Sequence, residues 1–508
     1  PKLKPKGKNK NKKEANLTLN NEGQVAFKLK DKEKLASMVL TSLFNENKFY
    51  GDNSKELATL AKKLIAEGQG RFVANLAVFA RNEMNLRSVS HVLCALLAND
   101  EKGKEFVKYA VLGVCRRADD ITEILSYYIN TFGKPIPNSL KKALAQAMNN
   151  FDEYQFGKYN NSSKELSFKD VLRLTHAKAK DEEHNEIFKK IVADSLATPY
   201  TWETELSAKG NTKQVWEELI DSGKVGTMAL LRNLNNILNA GPSNIAKVYK
   251  ALTDKNAILK SKIMPFRFYS AYKKVAKNPN CTSKVLEVLE DAIEISTQNI
   301  EKLQGKTLIA IDVSGSMTAR ISSRSEMTPA EIATLLASMA NYICEESIVV
   351  SFDTKLYVNT FSKKAGIIAN ALSIDVNGGG TAVGLPIAYI LDNKIKVDRI
   401  ILLSDYEVNR QMTRVVKIQG KDTFVEMSCS QLLDEYMKKV NPDVQFHGID
   451  LIGYGTQQFK GKNVNILAGW SEKIFDVINL SEQGFGNLVK IIENYDEVSD
   501  YANADAES

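Results

Sequence analysis

The sequence is poor in cysteine and contains no Cys-x-x-Cys pair, which removes a zinc ribbon from consideration. Its five cysteines, Cys94, Cys115, Cys281, Cys344 and Cys429, lie far apart. In helix-like or strand-like contexts they read as buried free thiols of a reducing compartment, and the cytoplasm is the expected location. No run approaches the ~18 consecutive apolar residues that span a bilayer. The first residues lack the apolar stretch of a signal peptide, so secretion is not expected. No strict repeat recurs at a fixed period. What is present is ordinary globular composition, 44% hydrophobic and 25% charged over 508 residues. That length exceeds one hydrophobic core, so at least two domains are expected.

The formal charge of +7 is modest, and its distribution says more. Residues 1–16 (PKLKPKGKNKNKKEAN) carry almost no apolar or acidic side chain. Such a segment cannot bury enough surface to fold and is expected to be a disordered basic tail that contacts phosphates without reading sequence. From about Asp31 to Gln298 the apolar spacing is helical. Leu57, Leu60, Ala61, Leu64 and Ile65 form one stripe, and Met228, Leu231, Leu234, Ile237 and Leu238 form another. Many short helices with short connections fit irregular paired-helix repeats of the HEAT or armadillo kind, whose concave surfaces suit long ligands.

The pattern changes at Gly305. The apolar run Lys306 to Ile311 ends in Asp312-Val313-Ser314-Gly315-Ser316, and Thr328-Pro329-Ala330-Glu331 reads as a capping box opening a helix. Strands then alternate with helices. Ile348 to Phe352 and Leu356 to Phe361 read as a hairpin, Arg399 to Leu403 and Phe446 to Ile452 as strands, and Ser428 to Val440 and Glu472 to Leu480 as helices. This alternation predicts a mainly parallel sheet covered on both faces. The expected division is a tail over 1–16, an all-α repeat domain over 17–302 and an α/β Rossmann-like domain over 303–508.

In open α/β sheets ligands bind outside the carboxyl ends of the strands. Asp312 sits at one such end with Ser314 and Ser316 alternating after it, and Asp405 follows the strand through Leu403. Thr381 follows Gly378-Gly379-Gly380, which lets the backbone bring its hydroxyl close. Carboxylate and hydroxyl oxygens are hard ligands, suited to Mg²⁺ or Mn²⁺. A bare helix N-cap cluster would explain Asp312 and the serines, but not Thr381 and Asp405 in this order. The order resembles the metal-ion-dependent adhesion site of von Willebrand factor A domains. The resemblance implies direct contacts from Ser314, Ser316 and Thr381, with the aspartates acting partly through water. Asp353 reads as a turn residue and Glu407 as a loop acid near the site. Such A domains grip acidic ligands rather than cut bonds, so no catalysis is expected.

Several helical stretches are distinctive together: residues 87–93 (RSVSHVL), 117–120 (RADD), 168–176 (FKDVLRLTH), 228–234 (MALLRNL) and 265–268 (PFRF). In this order, ahead of an A domain, they look like the TROVE module of Ro autoantigen proteins, over almost the whole chain from about Leu17. The resemblance implies a ring of helical repeats closed by the A domain. It implies that single-stranded 3′ ends of misfolded RNA enter the hole and that structured Y RNAs, or Y-like RNAs, bind the outer surface. His176 matches a family RNA contact, and Lys158, before the insertion-like stretch at residues 160–164, matches a neighbouring basic contact.

The residues alone give a compatible picture. Single-stranded RNA needs cations for phosphates and faces for stacking. Arg116, Arg117, Lys169, Arg173, His176, Lys178 and Lys180 concentrate positive charge. Charged side chains are solvated helix faces by default; Arg116 and Arg117 fit that bland reading well. Arg232, flanked by apolar residues, is expected in a buried ion pair, and His91 in packing. Three functions rank in order: a monomeric RNA chaperone or quality-control adaptor that passes RNA to an exoribonuclease, a metal-dependent protein-interaction scaffold, and a metal-dependent ribonuclease.

Overall fold

The computed structural model describes residues 17–19, 25–41, 52–160, 165–261, 263–320, 327–408, 412–418, 421–452, 456–461, 463–468 and 473–496. The tail expected over 1–16 lies outside them. Among the described residues, strands are β1 (Leu17–Leu19), β2 (Val25–Lys28), β3 (Leu303–Asp312), β4 (Cys344–Phe352), β5 (Leu356–Asn359), β6 (Arg399–Ser404), β7 (Met412–Ile418), β8 (Lys421–Met427), β9 (Gln445–Asp450), β10 (Thr456–Gln457) and β11 (Val464–Ala468). Among the described residues between Asp31 and Thr297 the regular elements are all helices.

The fold is an all-α repeat ring joined to a Rossmann-like A domain. In the helical half, apolar stripes pack neighbour on neighbour. Ser88–Ala98 (SVSHVLCALLA) is mostly apolar and is buried from Val89 to Ala98, because helices from both sides of it in sequence pack around it. Helix Phe168–Thr175 starts with a capping box in which the Ser167 hydroxyl accepts from Asp170 N while the Asp170 carboxylate accepts from Ser167 N at 2.9 Å. Such a cap stabilises by about 1 kcal/mol. The helix ends at His176, which adopts the left-handed conformation (φ 53°, ψ 43°) that stops further turns.

Both ends of the helical half rest on the A domain. At the start, the Asn75 amide donates to the Ile492 and Glu493 carbonyls, each at 2.9 Å, Tyr495 packs edge-on against Phe79, and β2 pairs with β10. At the end, Lys273 pairs with Glu331, and the Glu290 carboxylate accepts from Ile368 N at 2.9 Å. Asn85 also reaches Met264, 179 positions away. The run of helices thus returns on itself.

The central sheet has the order β11-β9-β6-β3-β4-β5, parallel except for β5. Period-two alternation splits its residues between two cores. Leu308, Ala310, Ile400 and Leu402 face helices Leu385–Asp392 and Cys429–Lys439. Ile309, Ile311, Ile401 and Leu403 belong to an apolar cluster continuous with the ring. The β7–β8 pair and the β1-β2-β10 sheet stand apart from the central sheet, and the sequence reading contained neither. The cysteines are free; four are buried and Cys281 is half-buried. Among the described residues no helix is long and apolar enough to cross a membrane.

Candidate functional site

Two candidate sites stand on separate domains. In the A domain, β3 and β6 pair in register Ile311↔Leu403, so Asp312 and Asp405 emerge side by side at the carboxyl edge of the sheet. Both are fully buried, as is Ser314. Asp312 Oδ1 accepts from Ser314 N at 2.9 Å and Oδ2 from the Ser404 hydroxyl at 2.5 Å. Ser314 and Ser316 hydroxyls lie 3.3 Å apart. The glycine run is sewn to this turn: Gly315 N donates to Gly379 O at 2.8 Å, and Gly378 N to Val313 O at 3.1 Å. Ala382 N donates to Asp353 O at 3.0 Å, fixing Thr381 between the turn and β4. The fit explains the glycines. Gly378 has φ +75°, and a Cβ on Gly379 would come within 2.6 Å of an Asp353 carboxylate oxygen.

All five expected ligands, Asp312, Ser314, Ser316, Thr381 and Asp405, therefore come from loops at one sheet edge. Burial, then the charge of Asp405, pushes the Asp312 carboxyl up to about 7, against hydrogen bonds from Ser314 and Ser404. Two interacting buried carboxylates beside three hydroxyls form a donor set that fits a hard divalent cation. Asp353 is a turn acceptor, with its Oδ1 taking Lys355 N at 2.8 Å. Glu407 is a buried acid whose N–H donates to Asp405 Oδ1 at 3.1 Å. The sequence reading missed Ser404 and Asp450, a buried carboxylate opposite Ser404 in register. The strand end at Asp450 was the available signal.

In the ring, the basic residues gather where helices Ala118–Phe132, Glu153–Tyr159 and Phe168–Thr175 meet. Lys158, Arg173, His176 and Lys178 are exposed there. Among the described residues, Lys158, His176 and Lys178 make no ion pair with an acid. Lys169 reaches Asp194 at 3.3 Å. The Asn149 side chain holds the loop beyond His176, donating to Lys178 O at 3.0 Å and accepting from Lys180 N at 2.8 Å. Lys178 and Lys180 line an open cleft of 730 Å³ together with Leu172, Phe188 and Lys189.

Arg116 and Arg117 divide. Arg116 is exposed and donates to the Asn82 side chain at 2.8 Å. Arg117 grips Asp119 through two bonds of 3.0 Å and lies 4.3 Å over the Tyr159 ring. It is a paired and stacked cation on a partly exposed side chain. Beneath them the buried Asp120 accepts from Arg116 N, Arg117 N, Arg87 Nε at 2.6 Å and Arg81 at 3.3 Å, with His91 Nε2 at 3.0 Å. Burial opposes its charge, but the His91 hydrogen bond and the His91, Arg87 and Arg81 charges hold the carboxyl well below the usual range. His91 is thus a partner in this network, a role its packing-like sequence context concealed. One expectation is corrected outright. Arg232 is exposed on helix Thr227–Ala240, outside any buried ion pair, because its apolar neighbours turn toward the core while it points away.

The TROVE domain signature matches residues 18–198 and 194–313, and that of the Ro60 vWA domain matches residues 306–418. The chain is 30% identical to the RNA-binding protein RO60 of Caenorhabditis elegans over 210 residues, covering 38% of this chain and 32% of that protein. It is 25% identical to the telomerase protein component 1 of Rattus norvegicus over 293 residues, 41% of this chain and 11% of that protein. The matched segments thus span well under two thirds of these relatives. The crystal structure of the Deinococcus radiodurans RO (RSR) protein superposes with a TM-score of 0.60 at 16% identity, covering 91% of this chain and 99% of that one, a likeness of fold. With both signatures in the order expected from the sequence, the chain belongs to the TROVE-domain family of Ro proteins.

Proposed function

We propose that this protein binds RNA without cutting it, as a quality-control or ribonucleoprotein-assembly factor. Unpaired 3′ ends of misfolded RNA enter the ring, and structured Y-like RNA lies on its outer surface. The observation that carries this reading is the exposed set Lys158, Arg173, His176 and Lys178, held in place by helix caps and by Asn149 on a ring of the Ro family. Phosphates replace the counterions of such a cluster, so binding should weaken steeply with salt. The protein acts as a monomer in the cytoplasm and hands RNA to an exoribonuclease. Ser314, Ser316 and Thr381, with Asp312 and Asp405, would hold Mg²⁺, or Mn²⁺, in the A domain, and the ion would supply a Lewis-acidic centre that attracts an acidic group. Asp312 and Asp405 anchor the hydroxyl-bearing loops, and Ser404 orients Asp312.

The test is a fluorescence-anisotropy titration of the full chain with Lys158→Ala and His176→Ala. Each change should weaken RNA binding about five-fold or more at moderate salt, and the lysine change should flatten the salt dependence. Tight binding indifferent to both would remove this cluster from the RNA site. The buried carboxylate pair at the sheet edge favours a second reading, in which the A domain recruits an acidic partner protein through its metal. A partner captured by the wild type and lost with Asp312→Asn, alongside negligible RNA affinity, would establish that reading instead.

A further inference from the structure

Exposed large apolar side chains are few among the described residues, and two of them are tyrosines in the ring that share one arrangement. Tyr154 is 51% exposed and Tyr200 is 45% exposed. Each has a lysine ammonium near its ring: Lys158 lies 6.0 Å from the Tyr154 centroid, and Lys224 lies 5.2 Å from that of Tyr200. Tyr154 and Lys158 are four residues apart on helix Glu153–Tyr159 and so share a face. The segments that carry the two tyrosines meet. A Cβ on Gly157 would lie 2.5 Å from Ala197 O and 3.3 Å from Pro199, so the segment leading into Tyr200 runs directly against the helix that carries Tyr154. Glu153, the acid on that helix, is occupied by Lys190 at 2.6 Å.

We infer that Tyr154 and Tyr200 are two base-stacking platforms of one track for unpaired RNA, with Lys158 and Lys224 taking the adjoining phosphates. This rests on the RNA-binding reading and adds residues that the basic-cluster argument did not contain. The physical case is that a half-exposed tyrosine ring offers stacking area at low entropic cost, and a cation beside it matches the phosphate that follows each base. Every base has a π-face, so the track accepts unpaired RNA of any sequence. Duplex RNA, whose bases are already stacked on each other, has no face to offer.

The experiment is equilibrium binding of the full chain to a fluorescent twelve-residue oligoadenylate and to the same length carrying abasic sites. The variants are Tyr154→Ala, Tyr200→Ala, Tyr154→Phe and Tyr200→Phe, each read across a salt series. Loss of one ring should weaken oligoadenylate binding about five- to 150-fold, the range for one stacked base. The phenylalanine variants should stay near wild type, the salt slope should be unchanged, and abasic RNA should bind wild type and alanine variants alike. Folding is controlled by thermal unfolding of each variant, and the phenylalanine pair keeps the test open if an alanine variant is unstable. Wild-type binding that the alanine changes leave intact overturns the track while sparing the RNA-binding reading. Absence of wild-type binding overturns both.

Discussion

Asp120 is the most heavily used acceptor in the ring, and Asp120→Asn should expose how much that network contributes. The carboxylate is fully buried and takes five donors: two backbone N–H groups, Arg87, Arg81 and His91. An asparagine keeps the shape and one acceptor oxygen but turns the other into a donor facing cations. Breaking a buried charge pair from one side costs roughly 3–5 kcal/mol. Arg87 retains Asp119 at 2.8 Å, so the lower end applies, about 3 kcal/mol. For a helical half of this size that is about 6 °C in the midpoint of its thermal transition, at about 2 °C per kcal/mol. Calorimetry of the full chain reads this directly. The pH dependence supplies a second test. The folded carboxyl lies below its unfolded value, so its stabilisation is complete above about pH 4 and is lost as pH falls further. The gap between wild type and variant should therefore close on acidification below about pH 4. A variant that melts with wild type at pH 7, or a gap that widens in acid, would refute the assignment of Asp120 as the anchor of the arginines.

Other outcomes follow from the A domain. Glu482 pairs with Arg399 and accepts from the buried His447, Nε2 to Oε1 at 2.8 Å; burial opposes its charge, yet the His447 hydrogen bond and Arg399 lower its carboxyl to about 2. Glu482→Gln should lower A-domain stability at pH 7 by about 3 kcal/mol, the figure for a half-removed buried pair. The wild-type advantage should fade between about pH 4.3 and 2, and persistence of the full gap at pH 2 would contradict it. Isothermal titration should find one Mg²⁺ or Mn²⁺ site, lost in Asp312→Asn; metal at a hundred times its Kd should add about 2.7 kcal/mol to wild-type stability alone. Gly379→Ala should displace the glycine loop, because the new methyl meets Asp353, and should weaken metal affinity without unfolding the ring.

How far the sequence anticipates all this depends on range. The edge loops of the A domain were legible because Asp312 to Ser316, Thr381 and Asp405 each follow a local strand or glycine signal. Strand order turns those local signals into one site, and parallel α/β sheets leave few alternatives for it. Helix Phe168–Thr175 lies within the segment whose apolar spacing reads as helical, but its Ser167 cap was not singled out. The β1-β2-β10 sheet could not be read, since β2 pairs with a two-residue strand far along the chain. The β7–β8 pair was missed because the residues between its two β-branched runs, Gln419-Gly420, lack the Asn-Gly or Asp-Gly signal of a hairpin. Arg232 misled because apolar neighbours in sequence do not mark burial on a helix; position around the axis does. The Asp120 network was hidden for a related reason. Arg81, Arg87 and His91 reach it from earlier helices, and only packing shows that they converge.

The claim on which the functional account stands is that the ring takes an unpaired RNA end. It is tested most directly by titrating the purified chain with one RNA duplex in two forms, blunt and carrying a single-stranded 3′ tail, at several salt concentrations. The account predicts that the tailed form binds at least ten-fold tighter, with affinity falling as salt rises. Equal affinity for both forms, or binding that salt does not weaken, would contradict it.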